Sequence, residues 1–470
     1  MASGLLDSGR DMRVLLVALA ASLIAACGGG GGNETTTGPV GSGGSCGVTN
    51  QKQFVLDRTR EWYLFADTLP AAVQLAQFPS AEELLDQLTA TARSQNRDRF
   101  FSYIASIADE QQFFSAGESV GFGIGTTVRD NNTRLFITQV FENSAAANAG
   151  FTRGDEILAV GTSSTTLQSM ASLLASAEGL SNAFGPSEAG ISRSFRVRTV
   201  AGNTVERTVT KRTFSLNPVP ATRLIARTGL TPLGYLQLRT FVSTADSQLR
   251  SAFASFRANN VTDLVVDLRY NGGGLVATAE LLSDLLSAGR IGQLQYRTRL
   301  NTSKTRDEIS VNFLSRAEAI QATRIAFITT GSSASASELV INSLAPYADV
   351  AIVGGRTFGK PVGQFAFDLG ADCDTRLRLV TFQNLNRDGD GDYFDGLPDA
   401  RYNDAFCLSD DDLLRPQGDT AEGMTASAIG WLNNGVCCAS VAATQRKADP
   451  GALRPTSKPS LDQRLLPDTY

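Results

Sequence analysis

An α/β fold with a parallel sheet is the architecture this sequence predicts, and a repeated unit predicts it. Leu264-Val265-Val266-Asp267-Leu268-Arg269 is the nearly continuous apolar run of a strand buried on both faces. It ends at Tyr270-Asn271-Gly272-Gly273-Gly274, and Leu281, Leu282, Leu285 and Leu286 follow at helical spacing. The same order returns with the apolar run Ile325 to Ile328, the small-residue turn 331–337 and a helix-like run from Leu339. Strand, turn and helix in series argue for βαβ units. A third apolar run, Val350 to Val353, leads to Thr357-Phe358-Gly359-Lys360-Pro361-Val362-Gly363-Gln364.

The chain of 470 residues is long enough for two or three domains, and 42% hydrophobic and 19% charged residues are ordinary for globular protein. A net charge of −5 with no basic block argues against a nucleic-acid partner. There is no histidine, so an imidazole metal site and a Ser-His-Asp triad are both excluded. No cofactor and no metal are expected.

Taken in order, the chain opens on an export signal. Arg10 and Arg13 precede an apolar run from Val14 to Ala26, shorter than the ~20 residues of a membrane span. Ile24-Ala25-Ala26-Cys27 resembles a bacterial lipoprotein box. That resemblance implies residues 1–27 as a signal peptide, lipid on Cys27, and a lipid-anchored envelope protein facing the periplasm, at the outer membrane. A plain secretory signal with an incidental cysteine is the alternative. The Gly-, Thr- and Ser-rich residues 28–45 read as a flexible tether. An envelope location permits disulfides among Cys46, Cys373, Cys407, Cys437 and Cys438. Cys373 with Cys407 is a plausible bridge, and Cys46 with Cys437 or Cys438 is the competing pairing.

Residues 46–115 read as a helical region, with amphipathic patterning around Phe54 to Leu64 and from Ala81 to Ala92. Residues 116–212 carry Gly121-Phe122-Gly123-Ile124-Gly125, a strand-like run Leu135 to Val140, Ala149-Gly150 and Gly154-Asp155-Glu156-Ile157. This segment resembles a PDZ domain. The resemblance implies that a peptide adds as a strand beside Ile124, its end held by N–H groups of the Gly121–Gly125 loop. A β-rich domain that only packs against its neighbour is the alternative. Residues 213–436 hold the repeated α/β units and a helix from Ala421 to Leu432. Residues 437–470 form a tail whose Pro-rich, polar stretch from Lys447 reads as loosely ordered.

The chemistry concentrates at two turns. Ser335 in Gly331-Ser332-Ser333-Ala334-Ser335-Ala336-Ser337-Glu338 would sit at a helix N-terminus, where free N–H groups favour developing negative charge. The same residues fit a capping box, with Ser335 as cap and Glu338 reaching back. A nucleophilic serine here needs a base other than histidine. Lysine serves if burial lowers its pKa, whereas arginine stays protonated. Of the lysines, Lys360 alone lies in a glycine-bounded turn after a buried-type strand. A Ser-x-x-Lys acyltransferase is disfavoured, since no lysine has a serine three residues before it. Asn386 to Gly396 has oxygen-bearing residues at alternate positions, but Leu397 stands where a calcium loop places glutamate, so an Asp- and Gly-rich turn is expected there.

Ser-Ala-Ser-Ala-Ser-Glu followed by Thr-Phe-Gly-Lys and a glutamine four residues on resembles the S41 carboxyl-terminal (tail-specific) processing proteases. The resemblance implies a ClpP/crotonase-like serine protease domain with an inserted or preceding PDZ domain. It implies Ser335 as nucleophile, Lys360 as general base, Gln364 as the residue orienting the lysine, and the N–H groups of Gly273 and Ala336 as the oxyanion hole. It implies polypeptide substrates. Some members carry an aspartate eleven residues after the serine, and this chain has Pro346 there. A non-catalytic peptide-binding lipoprotein on a degenerate protease fold is the alternative function.

Overall fold

The structure, a computed structural model, describes residues 46–176, 179–399, 402, 405–437, 466 and 470. The expected signal peptide with Cys27, the expected tether and Cys438 lie outside the described residues, as does most of the tail.

The apolar runs form one six-stranded sheet, in the order Ala221–Arg227, Leu230–Gln237, Asp263–Asp267, Arg324–Thr329, Asp349–Gly354, Phe406–Leu408. All pairings are parallel except the antiparallel edge Ala221–Arg227. Side chains alternate between faces along a strand, so both faces must be apolar when both are covered. Leu236, Leu264, Val266, Ile325, Phe327 and Ile352 pack with helices Ala245–Ala258, Val276–Leu285 and Ala336–Leu344. Tyr235, Val265, Ala326, Ile328, Ala351 and Val353 face the other way, onto Met424, Ala428, Trp431 and Leu432 of the helix Gly423–Asn434. Every residue of the helix Ala336–Leu344 is buried.

A second, five-stranded sheet has no counterpart in the sequence-based reading. It joins Tyr103–Ala105, Arg376–Leu385, Leu294–Arg299 and Ser310–Asn312, with Val362–Asp368 also paired to Arg376–Leu385. The helices Val48–Trp62 and Ala81–Ser94 pack on it, sharing a core in which Val55, Leu84 and Leu88 meet Val362, Leu377 and Leu379. The N-terminal helices and the strand after Lys360 are therefore one packing unit.

A third, antiparallel sheet contains Ile124–Arg129, Arg134–Val140, Glu156–Gly161, Ser192–Arg198 and Thr204–Thr210 around Phe122, Ile137 and Phe195. One tie between it and the parallel sheet is ionic. Arg269, with a fully buried side chain, pairs with Asp267, Asp411 and Glu422, and Arg153 from the antiparallel domain reaches the same Asp411 at 2.5 Å.

The disulfides are Cys46–Cys373 and Cys407–Cys437, so neither expected pairing forms. Cys407 lies on the edge strand of the parallel sheet, whereas Cys373 lies in the turn before Arg376–Leu385 of the second sheet. Closeness in sequence misleads because the two segments enter different sheets. The Cys407–Cys437 loop spans 30 residues, and the chain-entropy relation assigns it about 4 kcal/mol. In the Asp- and Gly-rich segment, Asn386 Oδ1 accepts from the N–H groups of Asp388 and Asp390 at 3.0 and 2.9 Å, a side-chain-closed turn. Two residues of the stretch from Lys447 onward are described. Leu466 is buried among Phe113, Phe141, Phe214, Leu216 and Val242, and Tyr470 packs against the antiparallel domain. At these two positions the expectation of loose order does not hold.

Candidate active site

Open α/β sheets place their sites outside the carboxyl ends of the strands. Three turns meet there. The turn after Arg324–Thr329 is closed by Ser333 N–H to Thr330 O at 2.9 Å, and Ser333 Oγ donates to Leu268 O at 2.7 Å. Ala334 N–H and Ser337 Oγ both donate to Asn271 O, at 3.0 Å each. Phe358 N–H donates to Ser333 O at 2.9 Å. The segments around Asn271, Ser335 and Phe358 are thus stitched by hydrogen bonds to main-chain carbonyls.

Glu338 is the centre of this stitching. It is fully buried. Its Oε2 accepts from Ser335 N–H at 2.9 Å and from Lys360 N–H at 2.8 Å, and its Oε1 accepts from Thr357 Oγ1 at 2.5 Å and Gly359 N–H at 2.7 Å. Burial pushes its carboxyl above the ordinary glutamate range, while these four donors pull the other way. The contact from Glu338 to Ser335 N–H is one half of the anticipated capping box, but the carboxylate does more. One of its oxygens holds the main chain of both Ser335 and Lys360.

Ser335 itself has φ 56° and ψ −110°, a backbone conformation uncommon for a residue with a side chain. Strain of this kind persists only where the surroundings impose it. It leads directly into the helix Ala336–Leu344, whose first N–H groups have no partner within the helix. Gly273 lies against it. A Cβ at Gly273 would stand 2.8 Å from Ser335 Cβ and 2.9 Å from Ala336 N, and φ there is 106°. Glycine is required by that approach. The Gly273 N–H, however, donates to Asn271 Oδ1 at 2.9 Å, while Asn271 Nδ2 donates to Leu238 O at 2.8 Å. The N–H that the resemblance assigns to an oxyanion is engaged within its own turn in this structure.

On the lysine side, Lys360 Nζ donates to Gln364 Oε1 at 3.2 Å, and Gln364 Nε2 donates to Phe101 O at 2.8 Å. These two bonds fix the amide's orientation. The Phe101 carbonyl is presented by a loop wound on Asp98, whose carboxylate accepts from Phe101 N–H, Ser102 N–H, Ser102 Oγ and Tyr63 OH. Burial, with the adjacent Asp98 charge, pushes the Tyr63 phenol far above its ordinary value, so it stays a donor. Arg99 caps Phe358 O at 2.9 Å and also bonds Gly359 O. Sequence reasoning left Asp98 inside the helical region 46–115 without a role and read Glu338 as part of a cap. A glutamate flanked by small and apolar residues at a helix start was the available signal for a buried acceptor.

The Gly121–Gly125 segment lies apart from these turns, at the edge of the antiparallel sheet. The N–H groups of Gly123 and Ile124 converge on the main-chain oxygen of Tyr470, at 3.0 and 3.3 Å, and Tyr470 N–H donates to Ile124 O at 2.9 Å. Gly123 has φ 80°, and a Cβ there would meet Ser144 Cβ at 2.1 Å. Phe122 turns inward and packs edge-on to Phe195 at 5.2 Å. Gly125 pairs with Gln139 in the sheet, and Gly121 lies under the main chain of Tyr470.

The fold these elements build is that of an S41 protease. A crystal structure from Bacteroides fragilis, of a chain assigned to the S41 proteases, aligns with a TM-score of 0.62 and 24% identity, over 81% of this chain and 97% of that one. Two stretches of the chain match peptidase family S41. The description "Peptidase family S41" matches residues 232–397, and "Peptidase S41 N-terminal domain" matches 50–103. Among curated relatives, the carboxyl-terminal-processing protease of Synechocystis sp. is 26% identical over 274 residues, covering 58% of this chain and 60% of the relative. The carboxy-terminal processing protease CtpA of Bacillus subtilis is 23% identical over 287 residues, covering 60% and 56%. The match thus spans less than two thirds of either relative's length.

Proposed function

We propose that this chain is a serine endopeptidase that cuts polypeptides with a serine and a lysine. The observation that carries the reading is the shared oxygen of Glu338, which holds the main chain of both candidate residues. Ser335 Oγ attacks the scissile carbonyl. Uncharged Lys360 takes its proton and returns it to the leaving amine. Gln364 holds the lysine amine. Ala336 N–H, with Gly273 N–H once it leaves Asn271, receives the developing oxyanion. The antiparallel domain acts as a PDZ-like module that takes a polypeptide end or an extended segment on Ile124. The names carried by the relatives support the processing-protease reading.

The chain is further proposed to be lipid-anchored through Cys27 in the cell envelope, facing the periplasm. The two disulfides are in keeping with an oxidising compartment. Cys27→Ser should release the protein from the membrane fraction; retention there would remove the anchor from the reading.

The test of the chemistry is direct. Ser335→Ala and Lys360→Ala should each lower hydrolysis of an unfolded polypeptide by about 1,000-fold or more, with the circular-dichroism spectrum unchanged. Lys360→Arg should fail as well, because a guanidinium cannot give up its proton. A fluorophosphonate probe should label Ser335 in the native protein. Absence of label together with activity unaffected by both alanine variants would overturn the assignment, and absence of any hydrolysis would favour the peptide-binding alternative.

A further inference from the structure

We propose that Arg99 is a positioning residue of the reaction, one whose charge holds the Lys360 amine in its uncharged, proton-accepting form. The inference rests on the serine–lysine reading above. Three contacts join the loop after Asp98 to the turn that carries the lysine. Arg99 donates to Phe358 O at 2.9 Å and also bonds Gly359 O, the carbonyls of the two residues before Lys360. The Phe101 carbonyl holds the Gln364 amide, whose oxygen accepts from Lys360 Nζ. The Phe101 ring centre lies 5.2 Å from Lys360 Nζ.

The same ring centre lies 5.3 Å from the Arg99 guanidinium carbon, which also stands 4.4 Å from the Phe358 ring. Arg99 and Lys360 therefore place their cationic ends around one buried ring. Both side chains are half-buried, so salt screens them less than it screens surface charges. Arginine keeps its charge at every working pH, whereas lysine can give its proton up. An aromatic face attracts one cation, and a permanent one beside it makes a second less favourable. At an effective dielectric of about 20, unit charges about 10 Å apart shift a proton affinity by about one pH unit.

The other charged groups on the elements packed against this turn act otherwise. Glu338 accepts from Lys360 N–H, and Asp98 winds the loop. Asp395 follows Phe394, whose carbonyl approaches Gly359. When ionised, all three favour the charged lysine. Asp368, at the far end of the strand Val362–Asp368, is paired with Arg376. Arg97 lies over the Phe65 ring at 4.1 Å, and Arg356 bonds the carbonyls of Gly396 and Pro398. Among the described residues, Arg99 is the cation that shares the Phe101 ring with the amine.

The experiment measures kcat/KM for an unfolded polypeptide from about pH 6 to about pH 10, a profile that reports groups of the free enzyme. Native protein is compared with Arg99→Gln, Arg99→Met and Arg99→Lys. Removing the charge should move the acid limb up by about one unit, with the rate about tenfold lower on that side and recovered at alkaline pH. Arg99→Lys, which keeps a positive charge, should leave the limb at its native place. A merely structural role would lower the rate equally at every pH with the limb unmoved, and that outcome overturns the proposal. A limb that moves equally in Arg99→Lys overturns it too. Arg99→Met keeps the length and the ring contacts, and is read if Arg99→Gln loses the native circular-dichroism spectrum. Lys360→Ala separates the two readings. If that protein is active, the lysine base and this proposal fall together; if it is inactive beside an unmoved limb, this proposal falls alone.

Discussion

Two glycine turns of this molecule aim backbone N–H groups outward from a sheet, and they differ in what receives them. At Gly121–Gly125 the acceptor is Tyr470, a residue from the far end of the chain. At Gly272–Gly274 the acceptor is Asn271 Oδ1, two residues back, on a side chain anchored in turn to Leu238 O. The first turn is shaped for an oxygen that arrives from elsewhere and can be exchanged. The second is closed on itself and must rotate a peptide unit before its N–H can meet a substrate oxygen. Preorganised donors are worth most when no rearrangement is needed at the moment of reaction. On the roles proposed above, a groove formed in advance and a catalytic turn that must still open are the arrangement expected of an enzyme that binds before it cuts.

The largest effect should separate the two turns. Gly273→Ala forces a Cβ to within 2.8 Å of Ser335 Cβ, at φ 106°. Turnover of every substrate should fall, by the about 100–1,000-fold that a lost oxyanion donor costs. Gly123→Ala forces a Cβ to within 2.1 Å of Ser144 Cβ. It should raise KM for long substrates about tenfold, while kcat for a short peptide that does not reach the groove is kept. Steady-state kinetics on a long and a short substrate check both. If Gly273→Ala leaves kcat near native, the second turn is only structural and the comparison fails.

A smaller effect should come from the carboxylate that joins the serine and lysine turns. In Glu338→Gln the amide NH2 would face two N–H donors where an acceptor is now required. Leaving such donors unpaired costs about 1–3 kcal/mol, which thermal denaturation should register. Activity should drop with it, since Ser335 keeps its unusual φ only while the surrounding bonds hold. A stable, fully active Glu338→Gln protein would mean that the shared oxygen is incidental. Peptide capture at Gly123 should be untouched in either case.

How much of this was legible beforehand follows from the same physics. The parallel strands were readable because burial on both faces leaves continuous apolar runs, as in Leu264 to Leu268 and Ile325 to Ile328. The turns carrying Ser335 and Lys360 were singled out because small residues and the absence of histidine narrow the choice. The second sheet was not found. Its strands pair Tyr103–Ala105 with Arg376–Leu385, nearly three hundred residues apart, and local pattern carries no record of such a partner. The Cys46–Cys373 disulfide, with a sequence separation of 327, was missed for the same reason. Asp98 and Glu338 were undervalued because a buried carboxylate satisfied by main-chain N–H groups has no spacing rule of its own.

Acid should test the ionic tie between the domain that holds the groove and the sheet that holds the serine. Burial alone would raise the Asp411 carboxyl, but Arg153 and Arg269 outweigh it and hold it down to about 2, against 3.8 for the free group. Stabilisation from Asp411 is therefore whole above pH 3.8 and is lost as pH falls towards 2, about 2 kcal/mol in all. Glu338 has the opposite sign. Its raised value makes its contribution greatest below 4.5, declining as pH rises through the folded value. Urea denaturation across this range should show stability held from neutral pH to about 4 and then falling. In Asp411→Asn the acid-side fall should shrink. An undiminished fall would assign it to other carboxylates.

The smallest effect concerns the lysine's own support. Gln364 bonds the proposed base, Lys360 Nζ, at 3.2 Å and Phe101 O at 2.8 Å. In Gln364→Ala the amine loses one acceptor but keeps its place, because Lys360 N–H remains bonded to Glu338. A positioning role predicts kcat lower by about tenfold, the worth of one modest hydrogen bond, with KM and melting temperature near native. Gln364→Asn, one methylene shorter, should restore little, since the amide must span from Nζ to the Phe101 carbonyl. A loss as large as that of Lys360→Ala would place Gln364 in the proton path itself. The proposed catalytic side would then depend on three side chains rather than two.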